Sequence, residues 1–284
     1  MIAITGASGQ LGRLVAENLL ATEPAASLRL LVRSPDKVAD LAARGAQVAA
    51  FDYSRPETLA PALKGVSKLL LISSSEVGNR AAQHKAVIEA AKAAGVELLI
   101  YTSILRTPQS GMILAAEHKI TEQDLAASGV PYVLLRNGWY LENFMGSVPA
   151  AIEHGAVFGA SGEGRISAAA RADYAAAAAE ILRKGAASGT IHELAGDTSF
   201  TKADLAAEIA RQSGKPVAYS NMSEEAFKGL LIQVGLPDGF AGALADADTA
   251  TARGELFDDG KTLSRLIGRP TVTLAAAVAA TLKA

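Results

Sequence analysis

A glycine-rich segment near the amino terminus constrains the fold more than any other part of the chain. Gly6, Gly9 and Gly12 follow the apolar run Ile2 to Thr5 and precede a stretch with helical periodicity. A loop of this spacing between a strand and a helix permits a tight turn, lets the backbone approach a pyrophosphate and directs helix N–H groups at the phosphates. Outside such a context three glycines usually indicate an ordinary turn. The segment predicts a dinucleotide site that includes Gly6, Ala7, Ser8, Gly9, Gln10 and Leu11.

Short aliphatic runs alternate with longer amphipathic stretches from the start of the chain to about residue 145. This alternation is typical of βα units on a parallel sheet. The sequence therefore predicts an α/β fold, a doubly wound parallel Rossmann-type sheet. Its six strands are expected at Ile2 to Thr5, Leu28 to Val32, Gln47 to Phe51, Lys68 to Ile72, Leu98 to Thr102 and Tyr132 to Leu135.

Alanine-rich helical patterns dominate the chain after residue 145. They cover Arg171 to Leu182, Lys202 to Gln212 and Glu224 to Val234, with strand-like pieces at Ile191 to Leu194 and Val217 to Tyr219. We predict an NADP-binding Rossmann domain at residues 1–145. A smaller, mostly helical substrate-binding domain is expected at residues 146–284, some segments of which return to the first domain.

Composition excludes several classes of function. The 27 Lys and Arg residues are balanced by 29 Asp and Glu residues, so the net charge of −2 provides no positive field for nucleic acid. The absence of cysteine excludes disulfides, thiol nucleophiles and Cys-ligated metals, and no metal site is predicted. No apolar run reaches the roughly 18 residues that a membrane span needs. We expect a cytoplasmic protein, and the sequence leaves a homodimer open.

The end of the second predicted strand favours NADPH over NADH. Arg33 stands where an NAD-dependent enzyme places an acid on the ribose 2′-hydroxyl. A guanidinium pairs well with a 2′-phosphate, and no Asp or Glu competes at that strand end, although a solvated arginine is the alternative. Asp52 and Tyr53 end the third strand and are expected to flank the adenine ring. Asp52 serves equally well as a carboxylate that caps the following turn.

Serines follow the fourth and fifth predicted strands. Because ligands of open α/β sheets bind at the carboxyl ends of the strands, Ser73, Ser74 and Ser75 are expected to line the cofactor. Ser103 stands where short-chain dehydrogenases place a substrate-side serine. In the following helix, alignment by register sets Leu114 at the position of the catalytic tyrosine and His118 at that of the lysine. The phenol that would act as general acid is therefore missing.

The sixth predicted strand leads into a segment with an amide and two aromatic rings. Asn137 and Tyr140 are predicted to be the catalytic residues, Asn137 by binding the nicotinamide and Tyr140 by contacting an aromatic substrate. Core packing is an equally weighted explanation for the aromatic pair. The whole segment is predicted to bind cofactor, through Asn137, Gly138, Trp139, Tyr140, Leu141 and Glu142.

These motifs together resemble the NmrA-like branch of atypical short-chain dehydrogenases, and in particular the type 2 NAD(P)H:quinone oxidoreductases. The resemblance rests on the glycine loop, on Leu69 to Gly78, Leu134 to Tyr140 and Arg171 to Ala175, and on Gly235-Leu236-Pro237. It implies two-electron reduction of a quinone by NADPH without a flavin. Quinone reduction also suits the missing tyrosine, because the hydroquinone anion takes its proton readily from solvent.

Two other functions remain open at this stage. An NmrA-like redox sensor would bind NAD(P) and signal to a protein partner, and it would lack a substrate slot or carry an exposed apolar patch. A reductase or isomerase acting on another carbonyl compound is disfavoured by Leu114.

Overall fold

A twisted parallel sheet organises the first part of the protein. The computed structural model describes residues 1–283, and Ala284, the last residue of the predicted second domain, lies outside the described residues. Seven strands within these residues follow the order β3-β2-β1-β4-β5-β6-β8. They are β1 (Ile2–Thr5), β2 (Leu28–Val32), β3 (Gln47–Ala50), β4 (Lys68–Leu71), β5 (Leu98–Ile104), β6 (Tyr132–Asn137) and β8 (Thr190–Leu194), while β7 (Ala156–Gly159) and β9 (Ala218–Asn221) form a separate parallel pair.

Helices connect the strands and make up most of the remaining chain. Those that alternate with the strands of the large sheet are α1 (Gln10–Leu20), α2 (Ala39–Ala43), α3 (Leu59–Leu63), α4 (Arg80–Ala93), α5 (Ile113–Ser128) and α8 (Arg171–Lys184). The others are α6 (Glu142–Met145), α7 (Val148–His154), α9 (Lys202–Ser213), α10 (Glu224–Gln233), α11 (Asp238–Ala252), α12 (Thr262–Ile267) and α13 (Leu274–Lys283).

The predicted doubly wound α/β fold is confirmed. The pairs that join β3 through β6 in sheet order are parallel, and β1 lies between β2 and β4, so the strand order reverses there. Residues of β1 and β5 are buried along their whole length, as a parallel sheet covered on both faces requires. Each of the six predicted strands is present, with ends that differ by at most two residues.

The number of strands in the large sheet was predicted wrongly. The segment Ile191 to Leu194 was assigned to the second domain, but it forms β8 at the edge of the large sheet, next to β6. The preceding helix α8 packs against α1 and so returns the chain to the sheet. Sequence periodicity does not report this packing, because α8 has the same alanine-rich pattern as the helices of the second part.

The residues group into two compact units, each built from several stretches of chain. The first contains Met1–Ile104, Glu117–Asn137 and Arg171–His192. The second contains Leu105–Ala116, Gly138–Ala170 and the chain from Glu193 onward. The single boundary predicted near residue 145, and a substrate-binding role for the second part, remain predictions.

A buried ion pair stabilises the small sheet of the second unit. The Lys202 ammonium donates to the Asp248 carboxylate at 2.7 Å and lies 4.7 Å from the centre of the Phe227 ring. Burial lowers the pKa of Lys202, and Asp248 opposes that shift. Gly159 of β7 leaves room for the pair, because a Cβ there would lie 2.3 Å from the lysine nitrogen. The glycine-rich stretch 155–164 thus contains strand β7 and the glycine that makes room for this ion pair.

One global feature concerns the membrane. Across residues 1–283, none of the helices has the length and apolar character that a bilayer span requires.

Candidate dinucleotide site

The glycine loop leaves β1 in the conformation that the sequence predicts. Gly6 has a φ of +58°, in the left-handed region that favours glycine. The Gly9 N–H donates to the Gly6 carbonyl at 2.8 Å, which closes the turn. A Cβ on Gly12 would lie only 2.3 Å from the Gly6 carbonyl oxygen and 2.8 Å from the Ala7 Cα, so the third glycine allows α1 to press on the loop.

The loop presents backbone rather than side chains. Gly9 is the N-cap residue of α1, with extended backbone angles, and the first turn of the helix carries no acidic residue. Gly6, Gly9 and Gln10 are exposed, whereas Ala7 and Leu11 are buried in the core. Free N–H groups at such a helix start attract an anion such as a pyrophosphate. Ala7 and Leu11 can therefore contribute only their backbone atoms to the predicted site.

Arg33 follows β2 with its side chain largely exposed. The guanidinium lies 3.3 Å from the Glu76 carboxylate, an ion pair in which the side chains retain 69% and 42% of their exposure. The sequence showed no acid at the end of β2. The structure brings one from the loop after β4 instead.

The two residues predicted to flank adenine have different surroundings. Asp52 accepts a hydrogen bond from the Ser54 N–H at 3.0 Å, which is the turn-capping alternative that the sequence left open. The Tyr53 hydroxyl donates to the Ile72 carbonyl at 2.8 Å and lies 2.5 Å from the Thr5 Oγ1. Burial raises the pKa of Tyr53, so the phenol stays protonated and joins the ends of β1 and β4.

The three serines after β4 differ in what they offer a ligand. Ser74 is buried and held on three sides, since its N–H donates to His84, its Oγ accepts from the Glu76 N–H and its carbonyl accepts from Arg80. The Ser73 N–H donates to the Thr102 hydroxyl at 2.9 Å. Ser75 is exposed. Ser73 and Ser75 thus have more freedom to contact a cofactor, whereas Ser74 fixes the loop.

A neutral histidine, His84, forms a hydrogen bond with this loop. The Nε2 of His84 accepts from the Ser74 N–H at 2.9 Å, and its Nδ1 lies 3.0 Å from the Thr121 hydroxyl. Because that hydroxyl donates to the Glu117 carbonyl, the Nδ1 carries the proton and donates to Thr121. Burial, assisted by the charge of Arg80, lowers the pKa of His84 to about 3. His84 therefore stays neutral and holds the Ser74 backbone in place through its hydrogen bonds.

A second buried histidine lies at the position aligned with the dehydrogenase lysine. The Nδ1 of His118 is 2.7 Å from the Tyr101 hydroxyl. Burial, with the charges of Arg80 and His84, lowers the pKa of His118 well below its usual value. Burial raises the pKa of Tyr101. At neutral pH both groups are uncharged.

Ser103 belongs to a buried ion-pair cluster. Its hydroxyl donates to Glu122 at 2.6 Å, and the same carboxylate accepts from two nitrogens of Arg136 at 2.9 and 2.6 Å. The side chains of Arg136 and Glu122 are 9% and 10% exposed. The cluster fixes the end of β6 immediately before Asn137.

The side chain of Asn137 presents a buried acceptor atom at the predicted nicotinamide position. Its side chain is buried at the carboxyl end of β6, and its Oδ1 has no hydrogen-bond partner within the described residues. A buried amide oxygen without a partner costs free energy, so it is expected to meet a donor when the site is filled. The carboxamide N–H₂ of a nicotinamide is such a donor.

The remaining predicted residues belong to the second unit. Gly138 donates from its N–H to the Leu194 carbonyl at 2.8 Å, and Leu141 donates to the Ala169 carbonyl at 2.9 Å. Trp139 and Tyr140 are half-buried, Leu141 is buried, and Glu142 begins α6. The backbone hydrogen bonds of this segment are thus made within the second unit.

Within residues 1–283, no group of three or more His, Cys, Asp or Glu side chains could hold a metal ion.

Comparisons with known proteins identify the family of the chain. The model of a family described as NAD(P)H-binding matches residues 6–184. The chain belongs to the NAD(P)H-binding family. It is 56% identical to quinone oxidoreductase 2 of Escherichia coli over 278 residues, which are 98% of this chain and 97% of that protein. The resemblance to type 2 quinone oxidoreductases is confirmed.

Solved structures of similar proteins also contain the cofactor. The crystal structure of the NADPH-dependent quinone oxidoreductase from E. coli complexed with NADPH has a TM-score of 0.97 and 55% identity, covering 99% of this chain and all of that one. A triphenylmethane reductase from Citrobacter complexed with NADP(H) has a TM-score of 0.94 at 35% identity, with coverage of 99% and 100%.

The residues of the first unit fit NADPH. The backbone cradle at Gly6 to Gly9 suits the pyrophosphate, the exposed Arg33 guanidinium suits a 2′-phosphate, and the orphaned Asn137 oxygen suits the carboxamide. Sequence reasoning missed Glu76 and the buried His84. The carboxylate of Glu76 was visible at the end of the Ser73-Ser74-Ser75-Glu76 motif, but its distance to Arg33 depends on strand order.

Proposed function

We propose that the protein is an NADPH-dependent quinone oxidoreductase that reduces quinones by two electrons through direct hydride transfer, without a flavin. The observation that carries this proposal is the 56% identity, over nearly all of both chains, with a quinone oxidoreductase. The glycine loop, the Arg33 guanidinium and the buried Asn137 oxygen suit NADPH and support the proposal independently.

The absence of a general acid suits a quinone. Leu114 occupies the position where related dehydrogenases have tyrosine, and the buried His118 is uncharged at neutral pH. When bound, NADPH supplies the hydride. A quinone that accepts a hydride becomes an aromatic hydroquinone anion, which is protonated by solvent, so the protein need not hold a proton at that oxygen.

The protein's own contribution is therefore positioning. In this proposal the loop from Gly6 to Leu11 holds the pyrophosphate, Arg33 binds the 2′-phosphate, and Asn137 accepts from the carboxamide and fixes the nicotinamide ring. Asp52 and Tyr53 border the adenosine, Ser73 and Ser75 line the cofactor on the loop that Ser74 fixes, and the segment 138–142 contributes further contacts. Tyr140 is the candidate for contacting the quinone ring. A homodimer and a cytoplasmic location remain predictions.

The test is quinone-dependent NADPH oxidation by purified, flavin-free protein, corrected for the uncatalysed reaction with 1,4-benzoquinone. Saturable turnover is expected. Tight NADPH binding without turnover would contradict the proposal and support a sensor instead.

Two variants test the assigned roles. Asn137→Ala should lower kcat/KM about 3- to 10-fold, the range for a lost neutral hydrogen bond, in a protein that remains folded. Unchanged kinetics would make Asn137 part of the scaffold. Arg33→Ala should weaken NADPH binding much more than NADH binding, and an equal loss for both cofactors would remove the argument for a 2′-phosphate contact.

A further inference from the structure

An ion pair reaches across the crevice in which the dinucleotide is proposed to bind. Arg33 directly follows β2, and Glu76 lies in the loop after β4. Because β1 separates these strands in the sheet, the pair spans two strand spacings, about 10 Å, at the carboxyl end of β1. The glycine loop begins at the same place. The 3.3 Å contact between the guanidinium and the carboxylate thus lies where the adenosine end of a cofactor would sit.

Glu76 is the fixed member of the pair. Its second carboxylate oxygen accepts from the Gln83 side-chain amide at 2.7 Å. That amide also donates to the Ser54 hydroxyl at 2.9 Å, and the side chain of Gln83 is buried. The Glu76 N–H is held by the Ser74 hydroxyl. Arg33 is the longer, more exposed partner, so a ligand that competes for the pair moves Arg33 and leaves the carboxylate in place.

The two cofactors meet this carboxylate differently. A 2′-phosphate must take Arg33 from Glu76 and then carry its negative charge close to a fixed carboxylate, which lowers its affinity. A 2′-hydroxyl has no charge to be repelled, and it can donate a hydrogen bond to a carboxylate. Both effects favour NADH relative to NADPH and oppose the contribution of Arg33.

We propose that Glu76 is a specificity-determining residue that limits the preference of the protein for NADPH over NADH. The inference rests on the cofactor binding in the proposed function. It adds that the Arg33–Glu76 pair, rather than Arg33 alone, sets the preference for NADPH over NADH. Since exposed ion pairs contribute little, the effect is a tuning of affinity by several-fold.

The experiment measures the dissociation constants of NADPH and NADH by cofactor fluorescence, without quinone, for the wild type and Glu76→Gln. The variant keeps an oxygen that can accept from Gln83 but removes the charge. We expect the NADPH-to-NADH affinity ratio to rise about 3- to 10-fold, and to rise less at high salt because ionic strength screens exposed charges.

Glu57→Gln is the matched control. Glu57 is an exposed carboxylate of the same unit that pairs with Arg55, and its replacement should leave the ratio unchanged. A ratio that stays constant or falls in Glu76→Gln overturns the inference. Because binding is measured without substrate, a protein that binds NADPH but fails to reduce quinones would contradict the proposed activity and leave the test of Glu76 intact.

Discussion

Replacing Glu122 by Gln is expected to destabilise the first unit severely. The carboxylate accepts three hydrogen bonds, two from Arg136 and one from Ser103, and the side chains of the ion pair are about one-tenth exposed. The variant keeps the shape of the side chain but removes the charge that faces a buried guanidinium. Breaking a buried pair on one side costs about 3–5 kcal/mol. For a chain of this size, that corresponds to a fall in melting temperature of about 6–20 °C.

Thermal melting followed by far-UV circular dichroism measures this loss, with Glu57→Gln as the matched control. Both substitutions convert Glu to Gln opposite an arginine, but the Arg55–Glu57 side chains are more than 60% exposed, so the control should melt like the wild type. Adding Arg136→Met to Glu122→Gln should recover part of the stability, because the buried charge is then gone. The reasoning would be refuted if Glu122→Gln melted together with the control.

Two further perturbations test the glycine loop and the buried histidine. Gly12→Ala should lower the free energy of unfolding by about 1–3 kcal/mol and weaken NADPH binding, because the new Cβ would meet backbone atoms of Gly6 and Ala7. In the control Gly146→Ala the Cβ has open space among the described residues, so neither property should change. Equal melting and equal NADPH binding of the two variants would contradict the steric argument. The free energy of unfolding should fall as the pH drops from about 6.5 toward 3. In the unfolded chain His84 gains a proton near its ordinary pKa, whereas the folded side chain, with its pKa of about 3, does not. One such group lowers the free energy of unfolding by up to about 1.4 kcal/mol per pH unit. Because buried His118 contributes a dependence of the same sign, His84→Gln should reduce the loss of stability between pH 6 and pH 4 in urea titrations without abolishing it, and an unchanged loss would show that His84 is not buried as a neutral group.

Local patterns account for most of what the sequence predicted correctly. The strands of a covered parallel sheet must be apolar on both faces, so β1, β2, β4 and β5 are visible as aliphatic runs wherever they lie in the sheet. The glycine loop is equally local, because the φ of Gly6 and the close approach of Gly12 to Gly6 and Ala7 involve residues at most six positions apart in the chain.

The family resemblance extended this local information to cofactor and reaction. It joined motifs that are far apart in the chain, and the comparisons agree with it over nearly the whole length. Site residues whose neighbours are also local, such as Asp52 with its turn, could be given two explicit alternatives from the sequence alone.

Only the tertiary structure decided which distant side chains meet. Arg33 pairs with Glu76, 43 residues away, because β2 and β4 flank β1, and strand order is not encoded in any one strand's pattern. Likewise β8 joins the large sheet because α8 packs against α1. The sequence of β8 resembles the other strand-like segments after residue 145, so its pattern does not distinguish the two sheets. Hydrophobic periodicity specifies which face of an element is buried, whereas the partner of that face depends on the packing of the whole unit.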